Sequence, residues 1–328
     1  MEFDAILFGN GLTLNYQNQV MKMIPEKYIH SLYFETYVNA IVNDSISKRE
    51  KNNLKKIFKD KYRYSYDVLV SELVAFNNTF KNGYEYTWGK LLTTPNSFSK
   101  YEILFDCVPV LYNLWYCNLK SLLNCLELRN TSIVFANSIK KHLKKGGRIF
   151  TTNFDGFFDS INPEHIHGHF IENFSNYRDL CWHTITDDDF YYPFIWAPSD
   201  VAKIKMIEEY SVIDNNTKHF NFSFFHKPFH ANTVLIYGIS FAKAGYMNGL
   251  EKYNQKYKSF NFGTCIDDHI ILRLKTLQES TLIGQIIFSY YDEQSKHHYE
   301  KIIEDYGLKK ASVIPTNDLL FSIESNTH

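Results

Sequence analysis

The sequence predicts an α/β protein, with a Rossmann-like, mostly parallel sheet and a large helical insertion after the first strand. Three observations carry this. The apolar run Phe3–Phe8 opens the chain and stops at Gly9-Asn10-Gly11. Short β-rich runs return only from Gly147 onward. Helical patterns lie between those later runs, and strands alternating with helices argue for a parallel sheet.

Taken in order, Phe3–Phe8 is a strand, and the glycines after it let backbone approach a ligand closely, with free amides suited to phosphate. A helical block fills residues 25–130. Within it, Tyr66–Phe80 places Val68, Leu69, Leu73, Val74 and Phe76 at helical spacing. Tyr101–Leu128 is a long apolar-rich helix with an expected break near Pro109. Ser132–Lys145 reads as a helix stopped by basic residues and then Gly146-Gly147. Gly147–Phe150 is then a strand, as are Thr233–Tyr237, Leu282–Tyr290 and Ala311–Ile314. Asp200–Tyr210, Asp268–Gln278 and Asp292–Tyr306 are the helices among them. The expected organisation is an α/β domain of residues 1–24 and 131–328 and an inserted helical module of residues 25–130.

Composition narrows the class. The chain has 328 residues, 45% hydrophobic and 22% charged, which is ordinary for a globular protein with a sizeable core. A net charge of −1 gives no whole-chain argument for nucleic acid or anionic membrane. Lys48–Lys61 is locally basic, and on a helix it reads as a solvated face. Five cysteines without a CxxC pair argue against a zinc ribbon and a disulfide framework, so reduced thiols and a cytoplasmic location are expected. Met1-Glu2-Phe3-Asp4 lacks the character of a signal peptide, and no run of about 20 apolar residues is long enough to cross a membrane.

The chemistry-bearing residues collect at strand ends. Thr151-Thr152-Asn153-Phe154-Asp155 follows a strand, and His167-Gly168 lies on the next connection. In open α/β sheets, ligands bind at the carboxyl ends of strands. An Asn, an Asp and a His there can hold a ribose and move a proton. Further clusters are Gly9-Asn10-Gly11 with Thr13, Gly238-Ile239-Ser240, and Asp267-Asp268-His269 at a helix start. Asp155 also suits a helix cap. Asp268 and His269 also suit a helix N-terminus. His165 and His169 flank His167, so any of the three histidines can be the functional one. His297-His298 are adjacent on a predicted helix and face apart, a poor metal pair.

In this order the clusters resemble the SIR2-like family, with its glycine-rich first turn, T-x-N-[FY]-D strand end, HG pair, G-x-S strand end and D-x-H-I segment. The resemblance covers most of the chain outside the helical block. It implies NAD as substrate, cleaved at the nicotinamide–ribose bond, with no metal. Asn153 would hold the nicotinamide ribose or a water, His167 would act as general base, and Asp155 would orient the loop. Gly9, Asn10, Gly11, Thr13, Thr152, Gly168, Gly238, Ser240, Asp268 and His269 would contact the dinucleotide. The sequence departs from classical sirtuins in lacking the four zinc cysteines, and its first turn reads G-N-G where theirs is G-A-G. That turn is also similar to AbiH-type abortive-infection proteins. The expectation is a NAD glycohydrolase of the bacterial antiphage-defence type: a regulated homo-oligomer, switched by a protein activator or phage-derived trigger, with no membrane and no direct nucleic-acid contact. The alternatives are a non-catalytic module sensing NAD or ADP-ribose, or an AbiH-like factor of other chemistry.

Overall fold

The computed structural model describes residues 1–59, 65–79, 102–153, 156–166, 224, 229–241 and 268–323. The chain divides into two compact units. One comprises Met1–Lys22, Glu127–Lys243 and Tyr257–His328; the other comprises Met23–Leu126 and Ala244–Lys256.

The first unit holds a six-stranded sheet whose described pairings are all parallel. Its strands are β1 (Phe3–Phe8), β2 (Leu143–Thr151), β3 (Glu164–His165), β4 (Ala231–Tyr237), β5 (Ile283–Tyr290) and β6 (Ala311–Pro315). They lie in the order β3-β2-β1-β4-β5-β6. That is the doubly wound order, and it reverses direction between β1 and β4. The α/β class and the parallel sheet are therefore as the sequence predicted.

Alternation along β1 explains the two layers. Ala5 and Leu7 join one buried cluster with Val234, Ile236, Ile286 and Phe288. Helices α7 (Asp268–Glu279) and α8 (Glu293–Asp305) supply Ile270, Leu274, Tyr299 and Ile302 to that cluster. With a period of two, Ile6 and Phe8 take the other face. There Phe8 meets Phe158 edge-on at 5.7 Å, and Tyr16 of α1 (Asn10–Met21) meets Phe135 of α6 (Thr131–Lys140) at 5.5 Å. Such pairs add about 0.5–1.5 kcal/mol each beyond the area they bury.

The strand β2 corrects an expectation. Lys144, Lys145, Gly146 and Gly147 do not end a helix; α6 stops at Lys140, and these residues belong to β2. The ladder pairs Phe3 with Leu143 and next Ala5 with Arg148, so β2 carries extra residues at this point. Gly146 absorbs the irregularity at φ +79°. Lys144 reaches back to Asp4, with Nζ 3.1 Å from both carboxylate oxygens. The polar run that resembled a helix stop is a bulged strand start.

The second unit contains α2 (Phe34–Val42), α3 (Lys48–Ile57), α4 (Tyr66–Thr79) and α5 (Glu102–Cys125). These helices form the insertion between β1 and β2, and the unit also takes in Ala244–Lys256, which follows β4 in sequence. Its core includes Tyr37, Ile41, Leu54, Leu69, Leu73, Trp115 and Leu119. The Trp115 indole donates to the Ser31 carbonyl at 2.9 Å. Two details differ from expectation. Helix α5 runs through Pro109, since a proline removes one rung of the ladder and a long apolar helix outlasts that loss. Val68 and Val74 are exposed, because only Leu69 and Leu73 of that pattern are shown inward. The helix expected at Asp200–Tyr210 lies outside the described residues.

Candidate functional site

The strand order reverses between β1 and β4, and this places the crevice of a doubly wound sheet at their carboxyl ends. Gly9 follows β1 there, Gly238 follows β4, and Thr152 follows β2. These three candidate positions come together. The Cβ of an alanine at Gly9 would lie 2.9 Å from the Gly238 carbonyl oxygen and 3.0 Å from Thr152 Oγ1.

The glycines serve the chain's own packing. Gly9 N–H donates to the Tyr237 carbonyl at 2.9 Å, and Gly11 N–H donates to the Gly238 carbonyl at 2.8 Å. Leu12 N–H turns back onto the Gly9 carbonyl at 3.0 Å. The expectation of a turn with free amides is thus corrected. Of the amides from Gly9 to Leu12, only that of Asn10 has no partner among the described residues. A β-carbon at Gly11 would sit 2.6 Å from Gly238 Cα, so backbone meets backbone where a ligand approach was expected.

On the β2 side, Asn153 is buried and fixed. Its N–H donates to Thr151 Oγ1 at 2.9 Å, and its Nδ2 donates to the buried Thr13 Oγ1 at 2.8 Å. Asn153 and Thr13, 140 residues apart in sequence, therefore meet over the first turn of α1. Among the described residues, Asn153 Oδ1 has no partner, which leaves one acceptor at the strand end. Of the three candidate histidines, His165 alone is described. Its Nδ1–H donates to the Asn153 carbonyl at 2.7 Å, and its Nε2 lies 3.2 Å from Asp159 Oδ1. His165 thus holds the backbone of Asn153, a positioning role. Asp155, His167, Gly168 and His169 lie outside the described residues.

On the β4 and β5 side, a hydroxyl network reaches the same turn. Tyr291 OH donates to the Gly11 carbonyl at 3.1 Å and lies 3.1 Å from Tyr237 OH. Asn15 Nδ2 donates to Tyr237 OH at 2.7 Å, and Gln19 Nε2 donates to Asn15 Oδ1 at 3.0 Å. Burial pushes the Tyr237 phenol up strongly, and the neighbouring Tyr291 adds to this. The Tyr291 side chain is 54% exposed, yet desolvation of its phenol by the neighbouring protein raises it too, against a lowering by its bond to Tyr237. Both stay neutral near pH 7. Sequence reasoning passed over this network, although Asn15 and Gln19 sit one turn apart on the helix that follows the glycine turn.

Other candidates fall less centrally. Ser240 is exposed, and its carbonyl accepts from His298 Nε2–H at 2.7 Å. The Ile239 carbonyl accepts from Tyr299 OH at 2.8 Å, so α8 fixes the backbone after β4. His297 pairs with Glu300 instead, so the two adjacent histidines part as helical geometry requires. Asp268 opens α7, which continues through His269. Among the described residues there is no group of three potential metal-binding His, Cys, Asp or Glu side chains.

The class defined by this arrangement is a doubly wound α/β sheet with an asparagine held at the strand edge beside the reversal point. Comparison with protein-family models, curated proteins and solved structures finds no match to this chain.

Proposed function

We propose that the chain is a NAD glycohydrolase that releases nicotinamide and leaves ADP-ribose. The observation supporting this best is Asn153: a buried side chain at the carboxyl end of β2, with its amide nitrogen committed to Thr13 and its oxygen, among the described residues, left as an acceptor. Cleavage of the N-glycosidic bond passes through an oxocarbenium-like state. Nicotinamide departs with the bonding electron pair, water attacks the ribose carbon, and a base takes the proton released. Such chemistry needs orientation and placed dipoles more than a strong nucleophile. Asn153 Oδ1 suits a ribose hydroxyl or the attacking water. His167 is the proposed base, by the resemblance to SIR2-like proteins, and the ordinary imidazole range fits that task.

A cytoplasmic enzyme of this kind destroys a shared cofactor and so needs restraint. The proposal therefore includes a homo-oligomeric defence effector held off until a protein or phage-derived trigger acts. No described helix is long and apolar enough to cross a membrane. The test is NAD consumption with products resolved by chromatography, for wild type, Asn153→Ala and His167→Ala. Nicotinamide and ADP-ribose from the wild type alone are expected. An intact NAD pool across oligomeric states and activators would sink the proposal, and stoichiometric NAD binding without turnover would favour a sensing module.

A further inference from the structure

Helix α3 carries an unusual distribution of charge. Its sequence is KREKNNLKKI, starting at Lys48. Lys48, Arg49, Lys55 and Lys56 are all exposed. At 3.6 residues per turn they fall within an arc of about 120°. Exposed Lys59 follows just past the helix end. None of these five cations makes an ion pair among the described residues, whereas Lys51, outside the arc, is paired with Asp44 at 2.6 Å. Glu50 belongs to the capping box, where its carboxylate accepts from Ser47 N–H and Oγ–H at 3.2 and 2.9 Å.

Helix stability accounts for Lys55 and Lys56, which lie in the last turn where the macrodipole favours positive charge, but not for the other end. Lys48 and Arg49 occupy the first turn, where the macrodipole disfavours positive charge. A local choice that works against its own element marks a residue kept for another purpose. On a chain of net charge −1, five cations along one helix also make a local field that the whole protein does not share.

A cavity lies along the flank of this stripe, within the same unit. Its volume is about 290 Å³, near the small end of ligand pockets, which begin at about 300 Å³. Leu54, Ile57 and Leu114 line it with apolar surface, Tyr37, Asn53, Lys56 and Asn118 add polar groups, and Glu50, whose carboxylate is held by Ser47 in the capping box, adds one acid. Asn118 Nδ2 is 3.5 Å from Tyr37 OH, at the limit of a hydrogen bond, so its amide is only weakly committed. Lys56 belongs to both the stripe and the cavity, and Asn53 borders the stripe.

We infer that the α3 face binds single-stranded nucleic acid, with the phosphate backbone along Lys48, Arg49, Lys55, Lys56 and Lys59 and one unstacked base seated in the adjoining cavity. The cations give the sequence-independent attraction. Side-chain amides beside an apolar wall are the means by which proteins hold a splayed base. From Lys48 to Lys59 the chain spans about 16 Å, and its five cations set the number of phosphate contacts at no more than about five. This surface is independent of the proposed NAD chemistry and offers a candidate input to it.

The test is fluorescence anisotropy of a fluorescein-labelled oligothymidine 20-mer with the full chain. With about five phosphate contacts, log affinity should fall with log salt at a slope of about −3.5. That is roughly a 100-fold loss between 50 and 200 mM salt. The variant Lys48→Gln/Arg49→Gln/Lys55→Gln/Lys56→Gln should keep its far-UV circular dichroism and flatten the slope to about −0.7. An abasic strand of equal length should bind several-fold more weakly than oligothymidine. Failure of the wild type to bind at 50 mM salt would overturn the inference. So would binding that the quadruple variant retains, equal binding of the abasic strand, or capture of phosphatidylserine vesicles in place of the oligonucleotide.

Discussion

Replacing Gly238 by alanine separates two explanations for the glycines at the sheet edge. Gly238 has φ +64°, and an added β-carbon would lie 2.7 Å from both Gly11 Cα and Leu12 N. An L-residue in the left-handed region costs about 1–2 kcal/mol. Overpacking against a neighbour that cannot move adds about 1–3 kcal/mol. The entropy lost by the unfolded chain returns about 0.4–1 kcal/mol. The net is a loss of about 1–4.5 kcal/mol, a large share of the roughly 5–15 kcal/mol that holds a domain folded. Gly146 is the control, with φ +79° and nothing within 4 Å of a β-carbon. Its alanine variant pays the backbone strain alone and should lose about 0–1.5 kcal/mol. Urea unfolding followed by circular dichroism, compared at the midpoint of the transition that each variant shifts, measures both. If Gly238→Ala proves no more damaging than Gly146→Ala, the close backbone approach described here is wrong. If it instead keeps its stability and loses only ligand binding, the glycine is there for the ligand.

Four further outcomes follow from particular contacts. Asn153→Ala removes the bond to Thr13 Oγ1 and should cost about 1–3 kcal/mol by the same unfolding assay, so any loss of NAD turnover must be read on protein verified as folded. Asp4 sits below the usual carboxylate range: burial raises it, but bonds from Lys144 and Thr233 outweigh that. Its folded pKa is depressed, so its contribution is present above about pH 4 and is lost as pH falls through the lowered value. Asp4→Asn should accordingly be less stable than wild type at pH 7, with midpoints converging in more acid buffer. Tyr66 has its phenol pushed up to about 12 by burial, with Asp44 and Asp67 adding to the effect, and among the described residues its hydroxyl has no partner. Tyr66→Phe should therefore leave the midpoint unchanged or raise it, and a drop would indicate a missed bond. Ser47→Ala breaks the capping box of α3 and should cost about 1 kcal/mol, read as a lower melting temperature.

Most of the sheet was legible in the sequence because each strand is a short apolar run closed by a turn residue. Phe3–Phe8, Thr233–Tyr237 and Leu282–Tyr290 all fall within a residue or two of the strands observed. The start of β2 was not legible. Lys144-Lys145-Gly146-Gly147 has the composition of a helix stop, and only the pairing of Phe3 with Leu143 and of Ala5 with Arg148 reveals a bulge. At the site, Asn153 and Thr13 could each be singled out from local context. Their bond could not, since it joins residues that become neighbours only once β1 and β2 pair. The same holds for Tyr237 and Tyr291, which read as core aromatics until the network to Gly11 is seen. His165 was indistinguishable from His167 on sequence, and its distance to the Asn153 carbonyl gives it a role of its own.

The bonds around the first turn bear on what this edge can hold. In many doubly wound proteins, the pyrophosphate rests on unpaired amides at the start of the first helix. Here Gly9 and Gly11 spend theirs on β4, leaving Asn10 as the single unpartnered main-chain donor from Gly9 to Leu12 among the described residues. A dinucleotide at this edge would therefore draw little of its affinity from the helix terminus, and its charge would have to be met by side chains. The rigid features lie instead at the end of β2, where Thr13, Thr151 and His165 together fix Asn153 from three directions. Stiffness concentrated on one polar side chain, with anion binding weakened beside it, favours orienting a sugar over gripping a phosphate. That balance suits glycosidic cleavage, where the geometry at the ribose sets the rate. For a pure binding module, affinity for the phosphates would be the property worth keeping.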